Sequence, residues 1–600
     1  MAQNVGDYLI QRLRQWDVEK VFGYAGDGIN SLLASWVAAD DPPEFVEARH
    51  EEMAAFEATG YAKFSGKVGV CAATSGPGAI HLLNGLYDAK LDHVPVVAIV
   101  GQTNRTAMGG SYQQEVDLLS LYKDVASEYV QMVTTPQQLP NVLDRAMRIS
   151  LSRRTVTAII LPADVQELEY SPPEHAFKMV PSSLGITTPV TVAGQEGIRD
   201  AAEVLNSGKK VAMLVGQGAR GAREEVVEIA DRLGAGVAKA LLGKDALPDD
   251  LPFVTGAIGL LGTRPSYEMM MECDTLLIIG SSFPYSQFLP EFDQARAVEI
   301  DINPSFVGLR YPTEVNLVGD AQATLLALLE HVEHKEDRSW REDIEKKVES
   351  WWKTMEAQAM LDADPINPMR IFWELSGQLP SDAVVTADSG SAANWYARHV
   401  QFSENVRGSL SGTLATMGPG VPYAIGAKFA SPQRPAIALV GDGAMQMNGL
   451  AELITIKRYY EQWEDPRLVV CVLHNNDLNQ VTWEMRAMSG SPKFIESQKL
   501  PDIDYAQWAE SLGLGARIVT DPEQLNDAWQ FALNADRPVV LDVHCDPSVP
   551  PIPPHATFEQ AKELAASLIK GDPDRWDVIK QGVKTKVQEF LPHGDKTGEA

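Results

Sequence analysis

Ala436-Ile437-Ala438-Leu439-Val440-Gly441-Asp442-Gly443 reads as a buried strand that ends on a turn, and Met445 through Tyr459 continue in a helical pattern. A second apolar run then ends at Asn475-Asn476. A near-continuous apolar strand is expected when helices cover both faces of a parallel sheet. Glycine at the strand end lets main chain approach a diphosphate, and the start of the next helix offers it free N–H groups. Two phosphates need a hard cation, and magnesium takes oxygen ligands in octahedral geometry. Asp442 and the Asn476 side-chain oxygen, on neighbouring strand ends, would supply two of them. The plainer reading is a tight strand–helix turn with a polar strand end. Gly-Asp-Gly alone does not discriminate; Asn-Asn one strand–helix–strand later makes the pair far more specific.

Working outward, the same strand signature recurs in Val94-Pro95-Val96-Val97-Ala98-Ile99-Val100-Gly101, in 211–216 and in 275–280, each ending in glycine. Ligands in such sheets bind beyond the carboxyl ends of the strands, where these glycines lie. Two breaks divide the chain. In 168–191, Pro172, Pro173, Pro181 and Pro189 interrupt any period. In 333–368, a charged helix with Ile344, Val348, Trp351 and Trp352 on one face precedes Asp364-Pro365 and Asn367-Pro368. A proline cluster over 547–554 opens a tail. The predicted fold class is therefore α/β: three doubly wound parallel-sheet domains, 1–182, 190–335 and 365–548, followed by a C-terminal tail, 549–600. No short-period repeat is visible.

The 600 residues suit three or four domains at roughly 100–200 residues each. Hydrophobic residues at 45% and charged residues at 22% are ordinary for a globular chain, which excludes a disordered or fibrous one. With 81 acidic against 51 basic residues and a formal charge of -30, the surface field would repel phosphate backbones and anionic lipid, so no nucleic acid is expected as a partner. Plain solubility explains that charge. Cys71, Cys273, Cys471 and Cys545 have no paired spacing, hence no zinc or redox signature; the first three sit in or beside apolar runs and read as buried thiols of a reducing compartment. The start has no basic region followed by an apolar stretch, and no run approaches 18 apolar residues, so a cytoplasmic protein is expected.

The first domain adds a longer constellation: Arg49-His50-Glu51-Glu52 opening a helix, then Thr74-Ser75-Gly76-Pro77-Gly78, then His81-Leu82-Leu83-Asn84-Gly85-Leu86-Tyr87-Asp88-Ala89, then His93-Val94-Pro95-Val96. Together with the Gly-Asp-Gly and Asn-Asn pair, it resembles the thiamine-diphosphate enzymes of the pyruvate oxidase and acetolactate synthase group, and most of all the pyruvate oxidases and quinone-dependent pyruvate dehydrogenases. The spacing departs from the pattern, since 31 residues lie between Gly443 and Asn475; the excess reads as an insertion around 459–466 that lengthens a loop without moving either strand end.

The resemblance implies thiamine diphosphate held by Mg2+, with Asp442, Asn476 and the Leu478 main chain as metal ligands and Gly441, Gly443 and Ala444 at the diphosphate. It implies Glu51 as the catalytic acid, since a carboxyl there hydrogen-bonds the aminopyrimidine and activates the cofactor by general acid–base work. Glutamates on helices are usually solvated, and that is the expectation for Glu52 and Glu57. Gly26, Ser75 and Asn84 fall at cofactor-contacting positions of the first domain. In Thr413-Leu414-Ala415-Thr416-Met417-Gly418-Pro419-Gly420, Met417 matches the wedge that bends the cofactor, Ala415 a main-chain partner of its amino group, and Thr416 a neighbour. Because Glu51 and Asp442 lie in different domains, the family builds each site between two subunits, implying a homodimer or homotetramer.

In the middle domain, Gly216-Gln217-Gly218-Ala219-Arg220-Gly221 before a helix is not a full dinucleotide fingerprint. The resemblance implies FAD contacts there: Gly218, Arg220 at the diphosphate, Gly259, Leu260, Gly280, Ser281, Phe283, Pro284, Ile300, and Asp301 near the adenosine. An empty scaffold domain is the alternative. Glu484 stands where acetolactate synthases carry tryptophan and the oxidases glutamate, which favours the oxidative branch, with Gln114 keeping the family's glutamine; Gln114 and Glu484 are taken as catalytic alongside Glu51. Gln113 and Gln480 replace apolar family positions, which suits a more polar 2-keto acid or else solvent-facing amides. The expected reaction is oxidative decarboxylation of a small 2-keto acid, pyruvate or a relative, with electrons passing to FAD and then to quinone or oxygen. The alternatives are carboligation of the acetolactate-synthase type and non-oxidative decarboxylation. The tail resembles the segment by which quinone-linked enzymes touch membrane, with Trp576, Ile579, Val583 and Phe590 on one face and Lys580, Lys584 and Lys586 nearby, but a docking helix fits this modest stripe as well.

Overall fold

The structure, a computed structural model, describes residues 3–172, 182–187, 190–551 and 558–590. Pro173, Pro181 and Pro189 of the first break and Ile552, Pro553, Pro554 and His555 of the tail lie outside the described residues, as do the side chains of Val583, Lys586 and Phe590.

The apolar runs become the inner strands of three parallel sheets, each of six strands among the described residues. In the first, β1 (Lys20–Gly23), β2 (Glu44–Glu47), β3 (Gly69–Ala73), β4 (Val96–Gln102), β5 (Val130–Met132) and β6 (Val156–Pro162) lie in the order β2-β1-β3-β4-β6-β5. In the second, β7 (Val211–Val215), β8 (Gly236–Lys239), β9 (Val254–Ala257), β10 (Thr275–Ile279), β11 (Arg296–Asp301) and β12 (Val315–Val318) lie in the order β12-β11-β10-β7-β8-β9. In the third, β13 (Val384–Ala387), β14 (Arg407–Ser409), β15 (Ala436–Gly441), β16 (Leu468–His474), β17 (Gly515–Val519) and β18 (Val539–His544) lie in the order β14-β13-β15-β16-β18-β17. Every residue of β4, β6, β7, β10 and β16 is buried, as strands covered by helices on both faces must be. The order reverses between β1 and β3, between β7 and β10, and between β13 and β15. Connections leave in opposite directions at these points and open a crevice at the strands' carboxyl ends.

The first and third domains share one core. Phe56 and Tyr61 of the Glu51–Ser65 helix pack with Tyr423 and Phe429 of the Gly420–Ala430 helix. The central sheet has its own core, and the Ser339–Ala359 helix belongs to it through Trp340, Ile344 and Val348. The 333–368 stretch is thus packed structure for most of its length. The predicted insertion is packed as well: a turn over Tyr460–Gln462 delivers Trp463 edge-on to Phe429, with ring centroids 6.0 Å apart, while β15 and β16 keep Gly441 opposite Leu473.

The expectation for the glutamates of the first-domain helix fails. Glu57 is fully buried, where a solvated side chain was expected, because the helix that carries it is wedged between two domains and its carboxyl faces that of Glu452. All four cysteines are buried free thiols, Cys545 included. The tail helices Phe558–Ile569 and Arg575–Phe590 dock on the chain itself: Arg486 grips Asp572 with two hydrogen bonds of 2.8 Å, and Val578 is buried. Trp576 and Ile579 remain exposed. Among the described residues no helix is long and apolar enough to cross a membrane.

Candidate active site

At the third-domain crevice the Asp442 carboxylate accepts the N–H groups of Asn475 at 2.8 Å, Asn476 at 2.5 Å and Gly443 at 2.8 Å. Adjacent parallel strands bring the two predicted metal-ligand positions together. Burial raises the Asp442 carboxyl to about 6, against the pull of those N–H groups. A buried carboxylate at a strand end suits a cation, so Asp442 fits Mg2+, and Asn476 and the Leu478 carbonyl would be its further ligands as the resemblance implies. Asn476 adopts a φ of 54°, and its Oδ1 lies 3.0 Å from His474 Nε2. His474, which the sequence reading overlooked, is fixed from behind by Asp542 at 2.8 Å. Burial opposes its protonation, but Asp542 and Asp442 outweigh it and hold the imidazole above its ordinary value.

Gly443 is closely surrounded by side-chain ends: a Cβ there would come 2.8 Å from the Leu478 Cδ2 and 3.4 Å from the Met417 Cε. That confined, partly apolar cradle fits a flat ring system over Met417 with phosphates at Gly441 and Gly443, while Ala444 is buried beneath. Ala415 has a φ of 52° in the segment that leads to Met417, and Thr416 Oγ1 accepts from Asn84 Nδ2 at 3.1 Å.

The first-domain half is assembled by another helix start. His50 caps the Glu51–Ser65 helix by accepting the Glu52 N–H, which leaves Glu51 as the first helical residue. Glu51 is 7% exposed, and its Oε2 meets His81 Nδ1 at 2.9 Å. Negative charge is favoured at a helix N-terminus, which suits a carboxylate at this position. Ser75 Oγ donates to Gln114 Oε1 at 2.9 Å, and Gln114 has a φ of 63°. Gly26 packs against Thr74, the neighbour of Ser75, and Asn84 also donates to Glu52 at 2.6 Å. Gln113 is exposed.

A cavity of about 760 Å³ begins at the crevice between β7 and β10 and runs to the third domain. Gly218, Gly259, Leu260, Gly280, Ser281, Phe283, Pro284, Ile300 and Asp301 all line it, and so do Ala415, Gln480 and Glu484. Arg220 does not. It turns away, with Nε 2.6 Å from the buried Asp245 carboxylate, and it lines a separate polar recess. Arg153, Arg154 and His93 are the basic side chains that line the cavity, and of these Arg154 and His93 lie near Asp301. The hydroxyls of Ser281 and Ser389 are buried in this wall without a protein partner, and the volume lies within the usual range for ligand sites, so the residues fit a large polar cofactor such as FAD. Gln480 is half-buried on the cavity wall: it accepts from Asn394 at 2.7 Å and donates to the exposed Glu484 at 3.0 Å. Asn479 instead ties down the chain by donating to the Pro547 carbonyl at 2.8 Å. Among the described residues seven non-glycines have positive φ; Gln114, Ala415 and Asn476 are predicted site residues, and His93 and Arg154 line the cavity. Backbone strain of this kind concentrates at functional sites.

Profiles of the thiamine pyrophosphate enzymes match all three domains: the N-terminal TPP binding domain over 3–121, the central domain over 198–328 and the C-terminal TPP binding domain over 388–543. A putative thiamine pyrophosphate-containing protein, YdaP, of Bacillus subtilis is 36% identical over 95% of this chain and 96% of its own length. The chain belongs to the thiamine pyrophosphate enzyme family. It is a thiamine-diphosphate-dependent enzyme, and its three sheets are that family's three-domain α/β fold. Among relatives of known kind, a probable acetolactate synthase large subunit of Methanococcus aeolicus is 32% identical over 91% of this chain and 92% of its own length. A pyruvate oxidase of Lactiplantibacillus plantarum is 29% identical over 90% and 88%. This thiamine pyrophosphate enzyme is therefore similar to both kinds, and the special nearness to pyruvate oxidases expected from Glu484 is not supported by overall identity.

Proposed function

We propose that the protein oxidatively decarboxylates pyruvate or a related small 2-keto acid with thiamine diphosphate, Mg2+ and FAD, and that quinone or oxygen takes the electrons. The observation that carries this reading is the continuous cavity from the dinucleotide-type crevice to Ala415, Gln480 and Glu484. When bound, thiamine diphosphate supplies a carbon nucleophile for the keto carbon. With the cofactor bound, Glu51 would exchange a proton with its pyrimidine, Met417 and Ala415 would seat it, and Asp442 and Asn476 would hold the metal. The chain Asn394–Gln480–Glu484 gives the substrate end of the cavity a polar wall, which suits a 2-keto acid with a polar side chain.

Glu51, Ser75 and Gln114 do not line the cavity that Ala415 and Glu484 line. A homodimer or larger assembly in which a second copy completes each site belongs to this reading, while within the chain Asn84 meets Thr416. Contact of the tail with lipid through Trp576 and Ile579 belongs to the same reading as a weak addition.

The test is an anaerobic panel of 2-keto acids read by flavin absorbance. Purified protein without flavin absorbance sinks the oxidative reading. A second reading, carboligation with structural flavin, is favoured by the similarity to acetolactate synthases. Acetolactate formation without flavin bleaching would establish it in place of the first, and release of aldehyde alone would point to non-oxidative decarboxylation.

A further inference from the structure

The 410–420 segment, which carries Ala415, Thr416 and Met417, is held by carboxylates that lie outside it. Asp92 accepts the N–H of Gly412 at 3.0 Å and that of Thr413 at 2.8 Å, one on each oxygen. Asp388 does the same for Gly418 at 2.9 Å and Gly420 at 2.8 Å. The Thr416 N–H goes to Ser411 Oγ at 3.0 Å, and that hydroxyl donates to Asp88 at 2.6 Å. All three aspartates are buried. A charged acceptor shared by two N–H groups fixes both peptide planes, and an N–H left without it inside the protein is costly. This is how the segment can hold Ala415 at a φ of 52°.

Asp92 reaches further than the other two. Its Oδ2 is 2.7 Å from Lys63 Nζ, at the end of the helix that Glu51 begins, and Lys63 also donates to the Leu410 carbonyl at 2.8 Å. Its main-chain carbonyl accepts from Gln217 Nε2 at 2.9 Å. Gln217 sits between Gly216 and Gly218 on the wall of the large cavity. A single residue of the first domain thus touches the thiamine-side loop of the third domain and the glycine loop of the second.

We propose that Asp92 is a positioning residue that couples the thiamine-diphosphate loop to the flavin loop, so that each cofactor organises the binding site of the other. The inference rests on the proposed function, which puts FAD in the cavity. Coupling of this kind is reciprocal and typically amounts to roughly 5–150-fold in affinity. The experiment titrates the full-length apoprotein with thiamine diphosphate and Mg2+ by calorimetry, with and without FAD. Wild type is expected to bind thiamine diphosphate about tenfold more tightly when FAD is present. Asp92→Asn, which keeps the main-chain carbonyl that Gln217 meets but loses the carboxylate that holds Gly412 and Thr413, is expected to weaken thiamine diphosphate and to remove the effect of FAD on it; Asp388→Asn is expected to weaken thiamine diphosphate and keep that effect. Should Asp92→Asn fail to fold, Gln217→Leu removes the donor to the Asp92 carbonyl, and because Gln217 also lines the cavity its FAD affinity is titrated alongside; with FAD bound at saturation the coupling should be abolished, and thiamine-diphosphate affinity without FAD should be unchanged. Wild type that binds no FAD overturns the proposed function. Wild type that binds FAD without coupling, or Gln217→Leu with coupling intact, overturns the role of Asp92.

Discussion

Glu51, Glu52 and Glu57 leave one helix for three different surroundings. Glu51 is buried at the N-terminus beside His81, Glu52 is half-buried and held by Asn84, and Glu57 is sealed between two domains against Glu452. If Glu51 is the proton-exchanging carboxyl proposed above, Glu51→Gln should lower turnover by about 10²–10⁴-fold, the usual worth of general acid–base catalysis. Steady-state rates that match wild type would remove Glu51 from its role. Burial, and then the charge of Glu452, push the Glu57 carboxyl well above its ordinary value. A carboxyl raised in the folded state gives its full stability below the unfolded value of about 4.3 and loses it as pH climbs through the raised one. The melting temperature should therefore fall as pH rises above about 5, and Glu57→Gln should flatten that part of the curve. A circular-dichroism melt series in which the two slopes coincide refutes this. The family resemblance singles out Glu51 because Arg-His precedes it, and the structure shows it buried beside His81. Sequence could not identify Glu57 as buried, because helical spacing does not say how many neighbours a helix has.

The Glu51–Ser65 helix touches the Gly420–Ala430 helix closely enough that a Cβ on Gly426 would lie 2.4 Å from the Glu57 carbonyl oxygen. Backbone cannot yield cheaply there, so Gly426→Ala should cost about 1–3 kcal/mol, read from denaturant unfolding. An unchanged midpoint would mean that the two helices separate without penalty. At the other end of the chain, Asp572 meets Arg486 of the helix that also carries Gln480 and Glu484. Asp572→Ala leaves Arg486 with Asp574 alone and should destabilise this docking by about 3 kcal/mol. Limited proteolysis should then cut the tail well before the body; equal resistance in both proteins argues against a latch. Strand and helix existence was legible from apolar runs and period. The tail's docking was not, since a moderate amphipathic stripe fits lipid, a partner or the chain's own surface equally well.

At the scale of the molecule, the first and third sheets have the same strand order, although no repeat shows in the residues. Order follows from which faces the connecting helices bury, and many sequences satisfy that. If a second copy completes each site, mixing inactive Glu51→Gln and Asp442→Ala proteins after mild dissociation should restore about a quarter of wild-type activity, because half the random pairs then hold one intact site. No recovery would place both halves in one chain. By itself, the sequence determined the strands and glycine turns, the pairing of Asp442 with Asn476 and the family, because these depend on residue type over short spans and on fixed spacing between neighbouring strands. Only the tertiary structure decided that Arg220 faces Asp245 and not the cavity, that Gln480 is bonded to Asn394, and that Asp92 joins two loops. Each of those outcomes depends on partners far away in the chain and on whether water is excluded, and no local pattern encodes either.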